Sequence, residues 1–110
     1  MIDEIRSWVA EFTGNSMRLN YAKYYIAVSE EDSFSNFAYF NPRKSFTKLK
    51  FHLQEPTDWV DKLVEKDVDA QIEQRGPMNI VITADPSTFA KNKDEFRSLV
   101  ADACGVAPPK

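Results

Sequence analysis

Three segments with the alternation of β-strands follow one another between residues 18 and 53, with no helical pattern between them. They read "RLNYAKYYIAVSEED", "NFAYFNPRK" and "SFTKLKFHL". In the third segment Leu49 and Phe51 fall on one face. Lys48 and Lys50 fall on the other, since successive side chains of a strand point to opposite faces. Consecutive strands with short connections usually pair with one another, so the sequence predicts an antiparallel meander.

Helical patterns flank this run of strands. Ile2, Ile5 and Val9 recur at helical spacing, and Gly14 suits the end of a short N-terminal helix. A second helix is predicted after Pro56. A last one is predicted from an N-cap at Asp85 to Gly105. The segment "DAQIEQRGPMNIVITA" between these two helices predicts one or two strands broken at Gly76–Pro77.

The element order predicts the fold class. It reads α-β-β-β-α-β(β)-α, which is an α+β fold with an antiparallel sheet of four to five strands and helices packed on one face. A length of 110 residues suits one domain. We expect that domain to span 1–105, with the N-terminal helix in 1–14, a core in 19–105, and a tail or severed linker at 106–110.

Four quoted stretches carry a resemblance to a known family. They are "LNYAKYYIAV", "NFAYFNPRK", "FTKLKFHL" and "IVITADPSTF". Over residues 19–104 the strand pattern resembles a prokaryotic domain family of unknown function. That family commonly forms the C-terminus of chains that resemble restriction nucleases or carry the label of predicted transport protein. The pattern is distantly similar to YjbR-type α+β domains, for which DNA binding has been suggested. The resemblance implies the fold and no functional residues.

Charge is distributed unevenly along the chain. Residues 18–52 contain six Lys or Arg and three Asp or Glu, although the whole chain carries a net charge of −3. Such asymmetry points to a polyanionic partner on one face of an acidic protein.

Catalytic and metal-binding chemistry is poorly represented. The chain has one His and one Cys, which excludes a structural zinc site and an intrachain disulfide. The three glycines form no phosphate-binding loop. A thiol–imidazole pair of His52 and Cys104 is the one nucleophilic arrangement that remains open. We therefore expect a non-catalytic domain without metal or cofactor.

Basic and aromatic residues that alternate with apolar ones define a candidate nucleic-acid-binding surface. Cations track phosphates and aromatic rings stack on bases in single-strand binding platforms. The predicted residues are Tyr21, Lys23, Tyr25, Arg43, Lys44, Lys48 and Lys50. The competing interpretation is that the lysines only keep a solvated strand soluble.

Two alternative roles use other features of the sequence. The first is a small polar pocket for an anionic ligand between the sheet and the helices, lined by Asn20, Tyr24, Asn36 and Arg43. The second is docking to another protein, or to another domain of the same parent protein. The lack of a leader, of a membrane span and of cysteine pairs predicts a cytoplasmic domain with no membrane partner. Among the three roles, we favour an accessory domain that binds DNA or RNA.

Overall fold

A computed structural model describes residues 1–23, 25–30 and 36–105 of the chain. The predicted tail at 106–110 lies outside this range. The elements in chain order are α1 Ile2–Thr13, β1 Met17–Tyr21, β2 Ile26–Glu30, β3 Asn36–Pro42, β4 Thr47–Phe51, α2 Pro56–Glu65, β5 Asp69–Ile72, β6 Ile80–Ala84, α3 Pro86–Lys91 and α4 Lys93–Ala103. The chain is thus an α+β protein, as its sequence predicts.

The strands form one sheet in the order β1-β2-β3-β4-β6-β5, and every neighbouring pair is antiparallel. The first four strands follow chain order, as short connections favour. Helix α2 connects β4 to β5, and β5 lies at the edge of the sheet. Strand β6 then lies between β4 and β5. Strands β1 and β5 are therefore the two edges.

One face of the sheet supplies the core. Phe40, Leu49 and Ile82 are direct cross-strand neighbours in β3, β4 and β6, and none of the three is exposed to solvent. The helices pack on this face. Trp8 of α1 stacks on Phe89 of α3 with ring centroids 5.7 Å apart. The Phe89 ring in turn lies 5.1 Å from that of Phe96 in α4, so one aromatic cluster joins three helices.

The first predicted strand, in the segment that begins at Arg18, is divided between β1 and β2. The backbone N–H of Ala22 donates to the carbonyl of Tyr25 at 2.9 Å, which closes a tight turn between β1 and β2. The prediction of four to five strands is therefore wrong, because the described residues form a sheet of six. The turn contains neither Gly nor Pro, and the aromatic residues around it favour extended structure, so the sequence carries no signal of a break.

The segment predicted as the last helix is divided into α3 and α4. Asn92 is buried at the junction, and its side-chain Nδ2 donates to the Thr88 carbonyl at 3.1 Å. Such side-chain bonds compete with the regular helical ladder. The predicted cap at Asp85 is confirmed, because its Oδ1 accepts from the Thr88 N–H at 2.6 Å. Gly14 is also confirmed as the left-handed end of α1, with φ of 74°.

Within the described residues, no helix has the length and apolar character that crossing a membrane would require.

We predict that Phe96→Ala lowers the free energy of unfolding by about 3–5 kcal/mol, because it leaves a cavity where three helices meet. Urea unfolding followed by tryptophan fluorescence measures this change. Phe46→Ala is the matched control, since Phe46 is only half-buried in a turn, and its loss should be clearly smaller. Equal losses for the two variants would contradict the central position of Phe96.

Candidate nucleic-acid interface

The face of the sheet opposite the helices carries two rows of side chains, most of them polar or aromatic, with Ala27 and Val81 as the apolar members and Ala27 buried. Cross-strand pairing places one row across all six strands: Asn20, Ala27, Tyr39, Lys50, Val81 and Gln71. It places a second row across four strands: Asn41, Lys48, Thr83 and Asp69. We call this surface the open face.

Burial of β4 on the core side determines where its lysines lie. Leu49 and Phe51 are fully buried, so Lys48 and Lys50 project from the open face. Lys48 is exposed. The side chain of Lys50 is 34% exposed, and its Nζ lies 3.7 Å from a carboxylate oxygen of Glu73. The separation of 3.7 Å is longer than that of a charge-assisted hydrogen bond, so the pair contributes little stability.

Two tyrosines stand beside these lysines. Tyr39 is the direct cross-strand neighbour of Lys50. Its ring meets that of Tyr25 edge to face, with centroids 5.3 Å apart and planes at 74°. Tyr25 is 41% exposed. In such a geometry one ring presents its edge to the other, so part of the Tyr25 ring surface remains accessible to a partner.

A pocket of about 220 Å³ opens at this tyrosine pair. Its lining residues are Tyr25, Tyr39, Asn41, Lys50, Arg75, Gly76, Pro77 and Met78. The last four come from the loop between β5 and β6, which folds towards the open face. Gly76 adopts φ of 81°, a left-handed conformation that favours glycine. The pocket therefore combines two aromatic rings, two cations and one amide.

Six of the seven predicted surface residues fall into three groups. Lys48, Lys50 and Tyr25 lie together on or beside the open face. Lys23 is in the β1–β2 turn, while Arg43 and Lys44 are exposed in the β3–β4 turn. Both turns lie at the same end of the sheet, because β1 and β3 both end there.

Tyr21 was predicted to share a face with Tyr25, and this is wrong. It pairs with Ile26, which faces the core side, so Tyr21 projects from that side at the edge of the sheet, 75% exposed. Because the chain reverses direction in the hairpin turn, Tyr21 and Tyr25 lie on opposite faces of the sheet and not on the same face, as their spacing in one strand would require.

The residues of the alternative anion pocket are not brought together. Asn36 begins β3 and Arg43 follows its last residue, so about 20 Å of strand separates them. Asn20 is on the open face rather than between sheet and helices, and its Nδ2 donates to Ser29 Oγ at 2.8 Å. Tyr24 and the side chain of Asn36 lie outside the described residues.

Arg75 is a pocket residue that sequence reasoning missed. It follows Asn41 by more than thirty positions, and only the β5–β6 hairpin returns it to the tyrosines. The tight loop is encoded by Gly76–Pro77, a recognisable turn signal. The direction in which that loop folds has no sequence signature.

Acidic residues confine the basic region on the side of β5. Asp69 ends the second row at the sheet edge, and Glu73 follows β5. A separate acidic cleft in the helical layer is lined by Gln54, Glu55, Asp58, Trp59, Lys62 and Asp102. There a hydrogen bond with Asp58, together with its negative charge, raises the pKa of Glu55.

The two residues of the thiol–imidazole alternative differ in environment. His52 is exposed, just beyond β4, whereas Cys104 is half-buried beyond α4. Burial raises the pKa of the Cys104 thiol to about 11, so this thiol is protonated at neutral pH. Among the described residues, no group of three or more His, Cys, Asp or Glu side chains is arranged to hold a metal ion.

Comparison of the chain with models of protein families, with curated proteins and with solved structures found no match.

We predict that Cys104 in the folded protein reacts with iodoacetamide about a hundredfold more slowly at neutral pH than a free thiol, whose pKa is about 8.5. The elevated pKa leaves little of the reactive thiolate. Intact-mass analysis over time measures the reaction. The same protein in urea is the control and should react at the rate of a free thiol. Fast alkylation of the folded protein would contradict this prediction and favour the alternative in which Cys104 acts as a nucleophile.

Proposed function

We propose that this chain is a non-catalytic accessory domain that binds single-stranded nucleic acid on the open face of its sheet. The observation that carries the proposal is the position of Lys50 beside the Tyr25–Tyr39 ring pair, with Lys48 in the next row, on a face that none of the described helices covers. Single-strand platforms combine these two features, with cations for the phosphates and rings for the bases, each stacked base contributing about 1–3 kcal/mol.

The shape of the surface favours a single strand over a duplex. Duplex readers usually insert a helix or a β-ribbon into the major groove, whereas here the basic residues lie on a broad sheet. The bases of a single strand are free to stack on aromatic side chains. The distant similarity of the strand pattern to YjbR-type domains, for which DNA binding has been suggested, favours the same class of partner.

The charges define a path for the strand. Arg43 and Lys44 stand at the turn end of β3 and β4, Lys48 and Lys50 lie in the middle, and Arg75 borders the pocket. Asp69 and Glu73 repel phosphates from the β5 edge. A strand that follows β3 and β4 meets the most cations and stays away from Asp69, although it must displace Glu73 from Lys50.

Protein docking is the alternative, and the distribution of exposed apolar side chains argues against it. Docking surfaces are contiguous apolar patches. The large hydrophobic side chains that the described residues expose are Tyr21, Tyr25, Val64 and Ile72. They belong to β1, the β1–β2 turn, α2 and β5. Since β1 and β5 are opposite edges of the sheet, these residues do not form one patch.

We predict that Lys48→Gln/Lys50→Gln weakens binding of a labelled single-stranded oligonucleotide and reduces its salt dependence. Each phosphate contact contributes about 0.7 to the slope of log affinity against log salt, so losing two should reduce it by roughly 1.4. Fluorescence anisotropy at about 50 and 200 mM salt measures both effects.

The matched control for this experiment is Lys66→Gln/Lys91→Gln, which removes the same charge from exposed positions in the helical layer. It should leave the slope unchanged. If both double variants lose affinity equally, the effect is one of net charge and the open face is not the binding surface. The proposal would be contradicted if the wild-type protein, at concentrations of tens of micromolar, did not bind the oligonucleotide.

We also predict that Asp69→Asn strengthens binding by about twofold at low salt. Asp69 lies two strands from Lys48, about 10 Å away by strand spacing, where one charge at the protein surface has an effect of that size. The same titration measures it, with Asp61→Asn on the exposed side of α2 as control. An equal gain in both variants would assign it to net charge alone.

A further inference from the structure

The pocket at the tyrosine pair is the concave feature of the open face with the most varied chemistry. Its volume of about 220 Å³ is below the about 300–1,000 Å³ of clefts that enclose a whole drug-sized ligand. The pocket is large enough for one planar ring system. If that ring belongs to a longer ligand, the rest of the ligand lies outside the pocket. Its position beside Lys48 and Lys50 places that remainder along the basic surface.

The side chains of the pocket match the parts of one nucleotide. Tyr25 offers an accessible ring surface for stacking. Lys50 and Arg75 are cations for the flanking phosphates. The amide of Asn41 has two N–H donors and an acceptor oxygen, a set that pairs with the edge of a base and retains capacity for an internal partner.

The loop that closes the pocket has a defined shape. The backbone N–H of Arg75 donates to Glu73 Oε1 at 3.2 Å, and Glu73 N–H donates to the Asn79 carbonyl at 3.0 Å. Met78 is buried, which ties the far side of the loop to the protein. The arginine is therefore carried on an anchored loop beside the rings.

Three other clefts among the described residues each combine an aromatic ring with at least one carboxylate, which disfavours a nucleotide. The acidic cleft around Glu55, Asp58 and Asp102 repels anions. A groove of about 280 Å³ further along the open face includes Lys48, but also Asp69, and its ring comes from Phe46. The pocket at the tyrosines is thus the best site for a base.

We infer that this pocket holds one unstacked base of the bound strand, stacked on Tyr25 and contacted at its edge by Asn41, and that it gives the domain a base preference. This inference rests on the proposed function. A surface that used only phosphate contacts would bind all sequences equally, whereas a pocket with an amide at the base edge discriminates between bases.

The test compares labelled single-stranded homopolymers of dA, dC and dT, each of about ten nucleotides, with an abasic oligomer of the same length. Wild-type protein should bind the preferred homopolymer at least about fivefold more tightly than another and the abasic oligomer most weakly. Tyr25→Leu should weaken the preferred homopolymer by about fivefold or more, without changing the salt slope. Asn41→Ala should make the affinities for the homopolymers equal, while the protein still binds them.

Tyr21→Leu is the matched control, because Tyr21 is an exposed tyrosine on the other side of the sheet. This variant should change neither the affinity nor the base preference. Circular dichroism verifies that each variant is folded. Equal binding of all oligomers, the abasic one included, would overturn the base pocket and leave the phosphate-binding surface in place. A preference that survives both Tyr25→Leu and Asn41→Ala would also overturn it. Failure of every oligomer to bind would instead reject the proposed function, and the base pocket with it.

Discussion

The burial of Leu49 between Phe40 and Ile82 is the constraint on which the arrangement of the molecule depends. These three side chains form the middle of the core, and β4 is the strand that holds Lys48 and Lys50. A shift of the β4 register by one residue would bury both lysines and expose both apolar neighbours. Burying an unpaired ammonium group costs several kcal/mol, so the register is strongly determined. The core therefore fixes the position of the basic residues, whatever they bind.

The sequence was sufficient for the parts of this arrangement that depend on local alternation. In β4 apolar and basic residues alternate strictly, so the position of both lysines followed from the pattern. Around residues 21–26 the same reasoning failed. Tyr21 and Tyr25 have the spacing of one face of a continuous strand, but the chain turns back between them, and the turn reverses which residues share a face. A turn without Gly, Pro or Asn has no local signature, so its detection requires knowledge of strand pairing.

The candidate site shows a second limit of prediction from the sequence, which concerns residues that are far apart along the chain. Tyr39 and Asn41 lie on one strand and Arg75 on a loop that follows a helix and another strand. Their meeting depends on the crossing of α2, which moves β5 to the edge and brings β6 next to β4. The sequence predicted the strands and the break at Gly76–Pro77, but not the order in which they pair. A pocket made by non-local pairing is therefore visible only in the folded chain, whereas the charge asymmetry was visible beforehand.

Charge separation within the fold explains how an acidic protein can present a surface for an anion. The clustered carboxylates of the helical layer, at Glu55, Asp58 and Asp102, disfavour a polyanion, while the lysines of the sheet favour it, so under the proposed function the approach of a strand is oriented. The number of cations on the open face is small and Glu73 competes for Lys50, so binding by phosphate contacts alone is weak at physiological salt. A weak surface acts effectively when a neighbouring domain supplies a high local concentration of ligand. Under the proposed function, the neighbour then supplies most of the affinity and the pocket at the tyrosines supplies the selectivity.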